Sequence, residues 1–226
     1  MRIGILGSGL MGGKLGTIFA RAGHEVVFSY SRDQRKVERL ARDAGGVARP
    51  GTPAEAARDA DALLLAVHWS RVDDVLKKAG DLSDKIVVSC SLPMSVDDTG
   101  LVVGHTSSGA EELAAKIPTA RVVSAFNTLP SEVLFSVFEH ASDSPRPSVV
   151  YCGDDSGAKE LAARLIIDAG FEPVDAGPLR IARYTEPFAL LVAQLAYEDT
   201  RGPALAYRFE WLDEVGDRIQ SDATGS

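Results

Sequence analysis

The residues Gly7-Ser8-Gly9-Leu10-Met11-Gly12 constrain the fold of this chain more than any other feature. They stand between a short apolar run, Ile3–Leu6, and a segment carrying Leu15, Ile18, Phe19 and Ala22 at the i, i+3, i+4, i+7 spacing of a helix face. In a strand–turn–helix setting the first glycine permits the tight turn and the second lets a ligand approach the backbone. The third lets helix and strand pack closely. The unpaired N–H groups at the helix start, at the positive end of its dipole, then favour a pyrophosphate. Glycines number 21 here, so the motif alone is weak. Its setting, with a second strand ending about twenty residues on, makes it a dinucleotide-binding turn. Gly7, Ser8, Gly9, Leu10, Met11 and Gly12 are therefore candidate cofactor contacts.

Downstream, short β-rich runs alternate with helical stripes. Val26–Phe28 reads as a strand, followed by a helix through Val37, Leu40, Ala41 and Ala44 that Gly45-Gly46 stops. A weak strand near Val47–Arg49 leads to a short helix opened by the Thr52-Pro53 cap. Ala62–Val67 is a continuous apolar run, as expected of a central parallel strand covered on both faces. Val72, Val75, Leu76 and Ala79 form another helical stripe. Ile86–Val88, Val122–Phe126, Ser148–Cys152 and Glu172–Val174 complete the strands, with helices near Ala110–Lys116 and through Ala158–Leu165. The pattern predicts an α/β, Rossmann-type doubly wound, mostly parallel sheet, with residues 1–226 as one nucleotide-binding domain. From Ile181 to Ala196 apolar residues appear all round, so the C-terminal helices from about residue 180 are expected to pack on this domain or on a second subunit. A homodimer is the expectation, which a monomeric mass at micromolar concentration would refute. The tail Ser221–Ser226 is small and polar and is expected to fray.

The end of the second strand selects the nucleotide. An acidic residue there binds a ribose 2′-hydroxyl, but this chain has Phe28-Ser29-Tyr30-Ser31-Arg32, with Arg35 and Lys36 a turn later. A hydroxyl beside a guanidinium and an ammonium suits a 2′-phosphate, so Ser29, Ser31, Arg32 and Lys36 are candidate contacts and NADP(H) is the expected cofactor. Tyr30 leaves the register open, with Ser29 or Tyr30 able to share the role. Asp33 is expected to cap the next helix. Ligands bind outside the carboxyl ends of the strands, which adds Ala66, Val67, His68 and Trp69 after one central strand, and Phe126 and Asn127 after another. His68 and Trp69 are equally at home as a loop hydrogen-bonder and a helix-packing ring.

Composition bounds the alternatives. Apolar residues at 45% and charged residues at 25% are ordinary globular values and exclude disorder. A net charge of −8 argues against a nucleic-acid binder, which needs a basic surface. Cys90 and Cys152 form neither a metal-ligand cluster nor a disulfide framework, and both read as buried small side chains. The run Phe188–Ala196 is too short to span a bilayer. With no targeting segment apparent, a cytoplasmic protein acting on a small-molecule or cofactor substrate, without membrane or nucleic-acid partners, is expected.

With these residues in view, the chain from Arg2 to about Tyr197 resembles the NADPH-dependent coenzyme F420 reductases. The resemblance rests on the glycine turn, on Ser31-Arg32, on Val122–Pro130, and on Asp175–Tyr184 followed by an apolar helix. The cytosolic reductase domains of the STEAP metalloreductases look similar in the same regions. The resemblance implies hydride transfer between NADPH and coenzyme F420, a deazaflavin, with no obligatory catalytic acid–base side chain and no metal. It also implies that Phe188–Leu195 and Asn127–Pro130 wall the acceptor pocket. Arg180 and Arg183 would either hold an anionic tail or form salt bridges within the fold. Two rivals remain. The first is an NADPH-dependent reductase of a small carbonyl or imine, with His68 or Tyr184 as proton donor. The second is a non-catalytic NADP(H)-sensing module.

Overall fold

The computed structural model describes residues 1–142 and 144–212, so the Ser221–Ser226 tail lies outside the described residues. Eight strands form one sheet: β1 (Arg2–Leu6), β2 (Glu25–Ser29), β3 (Ala48–Pro50), β4 (Ala62–Leu65), β5 (Ile86–Ser89), β6 (Arg121–Ser124), β7 (Ser148–Gly153) and β8 (Glu172–Asp175). Their order is β3-β2-β1-β4-β5-β6-β7-β8. The pairs from β3 through to β6 are parallel, β7 runs antiparallel to β6, and β8 is parallel to β7. The helices are α1 (Leu10–Arg21), α2 (Gln34–Ala44), α3 (Pro53–Arg58), α4 (Val72–Ala79), α5 (Gly109–Lys116), α6 (Leu134–Glu139), α7 (Ser156–Asp168) and α8 (Ala182–Tyr197). This is the Rossmann-type architecture expected from the alternation of runs.

Strand alternation sends side chains into two layers. Ala62 and Leu64 of β4 join one core with Leu15 and Ile18 of α1 and Leu161 and Leu165 of α7. Leu63 and Leu65 join the other, with Ala56 of α3, Val75 of α4 and Leu113 of α5. Burial on both faces explains why β4 reads as an unbroken apolar run. Thr52 opens α3 with a full capping box: its hydroxyl accepts from the Glu55 N–H, and Glu55 accepts from the Thr52 N–H.

The C-terminal helix α8 packs on the domain by one face. Its inner face buries Thr185, Glu186, Ala189, Val192 and Ala196, whereas Tyr184, Leu191, Leu195 and Tyr197 are exposed. The apolar character all round therefore reflects one packed face and one open apolar face. The segment around Tyr207 and Phe209 folds back on β7, where the Ser148 N–H donates to the Tyr207 carbonyl. Tyr207 packs edge-on against Phe188 at 5.1 Å between ring centroids. Among the described residues no helix is long and apolar enough to cross a membrane.

Glu186 is a buried carboxyl at the start of α5, accepting from the N–H groups of Gly109 and Ala110 at 2.8 and 2.9 Å. Burial pushes its pKa up to about 7, outweighing those two donors, which favour the carboxylate. The folded chain thus binds this proton more tightly than the unfolded chain. The resulting stability is fully present below pH 4.5 and is lost as the pH rises through about 7. Glu186→Gln should flatten that fall when melting temperature is followed across the same interval. Parallel melting profiles for variant and wild type would show that Glu186 does not titrate there.

Candidate functional site

The strand order places β1 between β2 and β4, so the chain departs in opposite directions from the middle of the sheet. Such a switch point leaves a crevice beyond the carboxyl ends of the strands. Three loops meet there. The Gly7 N–H donates to the Ser29 carbonyl and the Ser8 N–H to the Tyr30 carbonyl, each at 3.2 Å, while the Ser8 hydroxyl donates to the Ser29 carbonyl at 2.8 Å. The glycine turn is thereby pinned to the end of β2. On the other side the Ala66 N–H donates to the Leu6 carbonyl.

Gly7 needs its glycine because its φ is +123° and an added Cβ would drive into the carbonyl of Ala66. At Gly12 an added Cβ would meet the carbonyl oxygen of Gly7. Gly9 differs: its φ is −79°, and an added Cβ would meet nothing within 4 Å. Its open side faces the crevice. Gly9 also begins α1 without a side-chain cap, and no acidic residue lies in the first turn. The first-turn N–H groups, which have no intrahelical partner, are thus left for an anion. That arrangement fits a dinucleotide pyrophosphate.

A cleft of about 550 Å³ runs from this turn past the tip of β2. Gly7, Ser8, Gly9, Ser31, Arg32, Lys36, Ala66, Val67 and His68 line it, as the sequence anticipated. Ser29 does not: its side chain is fully buried and its hydroxyl donates to the Ile5 carbonyl at 2.7 Å. Tyr30 takes its place at the wall, because a left-handed backbone (φ 58°) breaks the strand alternation there. Asp33 caps α2, accepting from the Arg35 N–H at 2.9 Å. Arg32 and Lys36 have no ion-pair partner among the described residues.

A second cleft of about 310 Å³ shares Gly9, Ala66, Val67 and His68 with the first and adds Leu10, Met11, Cys90, Ser91, Leu92 and Met94. Leu10 is 69% exposed at its rim. His68 is held by the Ser70 hydroxyl at 2.8 Å on Nδ1 and by Asp98 at 3.1 Å on Nε2. Cys90 is half-buried, not fully buried, and desolvation pushes its thiol pKa up, so it stays protonated.

Several expected contacts lie elsewhere. Trp69 packs against the core beside α4 and lines neither cleft. Phe126 is fully buried and stacks edge-on with Phe19 at 6.3 Å. Its own left-handed φ of 64° turns it into the core. Neither the Phe188–Leu195 segment nor the Asn127–Pro130 loop lines either cleft. Asn127 is nonetheless buried, with its amide donating to Ser124 and its side-chain oxygen without a partner among the described residues. Arg183 is structural, paired with Glu111 at 2.6 Å, while Arg180 is exposed. The sequence reading missed Arg71, Asp74 and Lys78, which line the larger cleft from α4 and the turn that leads into it. Their i, i+3, i+7 spacing, on the face next to the Val72–Val75–Ala79 stripe, was the available signal.

Fold and site define the class: a Rossmann-type α/β protein whose switch-point cleft suits a dinucleotide. Within that class, residues 2–93 match the model of the family described as NADP oxidoreductase, coenzyme F420-dependent, so the resemblance read from the sequence stands. The chain is 29% identical over 189 residues to metalloreductase STEAP3 of Rattus norvegicus, covering 84% of this chain but only 36% of that relative. In structure it matches a candidate F420-dependent NADP reductase from Arthrobacter sp. FB24 with a TM-score of 0.81 and 22% identity, over 93% of this chain and 100% of that one. A reductive aminase from Aspergillus terreus, solved with NADPH and ethyl levulinate, matches with a TM-score of 0.62 and 16% identity, over 85% and 60% of the two chains.

Proposed function

We propose that this chain is an NADP(H)-dependent reductase that holds the nucleotide across the two clefts and passes hydride to a deazaflavin of the coenzyme F420 type or a similarly planar acceptor. The observation that carries this reading is the opening of one cleft onto the glycine turn, the uncapped start of α1, and Ser31, Arg32 and Lys36 together. A bound nicotinamide supplies the hydride chemistry. The chain binds and orients. Backbone N–H groups at Gly9–Met11 take the pyrophosphate, and the Ser31 hydroxyl with the Arg32 and Lys36 cations takes the 2′-phosphate. Leu10, Met11, Leu92 and Met94 offer apolar walls that exclude water from a flat ring. Hydride transfer between two rings needs positioning, and the proton that the reduced ring takes up can come from water instead of a side chain.

One observation favours a second reading. His68 lies on the wall of both clefts, and reduction of a carbonyl or imine needs a proton as well as hydride. Absorbance of NADPH oxidation with the oxidised deazaflavin as sole acceptor separates the readings. Rapid loss of the deazaflavin band, with NADH far slower, is the expected result. Turnover confined to carbonyls or imines, and abolished by His68→Ala, would replace the deazaflavin reading with the second. Tight NADPH binding without turnover on any of these acceptors would leave a sensing module.

A further inference from the structure

We propose that α4 forms the second wall of the 2′-phosphate subsite, with Arg71 and Lys78 as specificity-determining cations facing Arg32 and Lys36 across the cleft. This deepens the NADP(H) reading and rests on it. Strands β2 and β4 flank β1, so their carboxyl ends stand two inter-strand spacings apart, about 10 Å. A phosphate at the tip of β2, in the cleft that these two ends border, is thus within reach of long side chains from either side. The loop after β2 and helix α2 bring Arg32 and Lys36; the loop after β4 and helix α4 bring Arg71 and Lys78.

Tyr30 ties the two walls together. Its hydroxyl donates to Asp74 at 2.7 Å, and the Lys78 ammonium lies 5.3 Å from its ring centroid. Lys78 also donates to Asp74 at 2.8 Å, which fixes the ammonium at the wall and leaves two of its protons free. Arg71 has no ion-pair partner among the described residues. Burial and Asp74 push the Tyr30 hydroxyl up to about 12, so it remains a neutral donor and puts no phenolate charge beside an anion. A strained left-handed tyrosine bonded across the cleft is a costly arrangement for an ordinary solvated helix face.

Charge supplies the second argument. Arg32, Lys36, Arg71 and Lys78 face Asp33 and Asp74 in the cleft lining, leaving an excess of two positive charges in a chain whose net charge is −8. A phosphate monoester carries about −1.5 to −2 at neutral pH. The α2 wall alone has two cations with Asp33 beside them; the α4 wall brings the excess to the value that matches the ligand.

The test is fluorescence titration of NADPH and NADH, with displacement by 2′-AMP and 5′-AMP, for wild type, Arg71→Ala, Lys78→Ala and Arg32→Ala. Each α4 variant should weaken NADPH and 2′-AMP by about tenfold, the scale of one charge-assisted hydrogen bond, and leave NADH and 5′-AMP unchanged. Arg71→Lys should recover part of the loss. Lys78→Ala also exposes Asp74, so Lys78→Ala combined with Asp74→Asn decides whether Lys78 acts directly. Weak NADPH binding in the double variant supports the proposal, and recovery to wild-type affinity overturns the role of Lys78. Selective loss in Arg32→Ala with none in the α4 variants overturns the α4 wall and leaves the cofactor reading standing. A wild type that does not distinguish NADPH from NADH overturns both.

Discussion

Replacing Arg32 with alanine is expected to weaken NADPH binding by about 1.5–3 kcal/mol, roughly ten- to 150-fold, the range of a hydrogen bond to a charged group. NADH binding should barely change. Arg32 stands at the mouth of the cleft, exposed, immediately after the loop that ends β2. No carboxylate pairs with it among the described residues, so its removal orphans no buried charge. The fold should therefore be untouched, to within about 0.5 kcal/mol, as for other surface substitutions. A guanidinium offers paired donors in one plane, which a 2′-phosphate can accept and a 2′-hydroxyl cannot fully use. Titration of both nucleotides against the variant checks the assignment. Equal losses would mean that Arg32 holds something common to both, such as the adenine or the pyrophosphate, and the 2′-phosphate would have to sit elsewhere.

The glycine turn should separate affinity from stability. Gly9→Ala places a methyl where nothing of the protein lies within 4 Å, on a backbone that alanine tolerates. Its melting temperature should match wild type, while both nucleotides lose about 1–3 kcal/mol of binding, the cost of forcing a methyl into a close contact. Unlike the loss at Arg32, this one is blind to the 2′-phosphate. Gly12→Ala acts on the fold. Its methyl would meet the Gly7 carbonyl oxygen and lie 3.1 Å from the Ala66 Cβ, and neither neighbour can move without shifting β1 or β4 against α1. A lower melting temperature is expected even without nucleotide. Thermal melts of the two variants side by side decide the matter: an unchanged Gly12→Ala melt would refute the close packing at this turn.

Much of this architecture was legible because local rules and tertiary packing agree. The glycine turn, the α3 cap at Thr52 and the apolar β4 each satisfy a requirement that neighbouring residues impose. Where they disagree, the reading failed. Tyr30 left the register open, and Ser29 turns inward while Tyr30 reaches the wall because one left-handed residue resets which face a side chain takes. Phe126 turns into the core for the same reason. The apolar residues of α8 could not disclose that Tyr184, Leu191 and Leu195 lie open, since hydrophobicity records a tendency to be covered and not the presence of a cover. The direction of β7 was equally hidden, because a buried strand looks alike either way along the chain.

By itself, the sequence determined the fold class, the position of the glycine turn between β1 and α1 and the basic residues at the tip of β2, because all three depend on residues close together in the chain. Tertiary structure alone decided that α4 faces that tip across β1. Arg71, Asp74 and Lys78 are some forty residues from Arg32, brought opposite it by the crossover that sets β4 beside β1. Spacing along a chain cannot record a meeting that the sheet arranges.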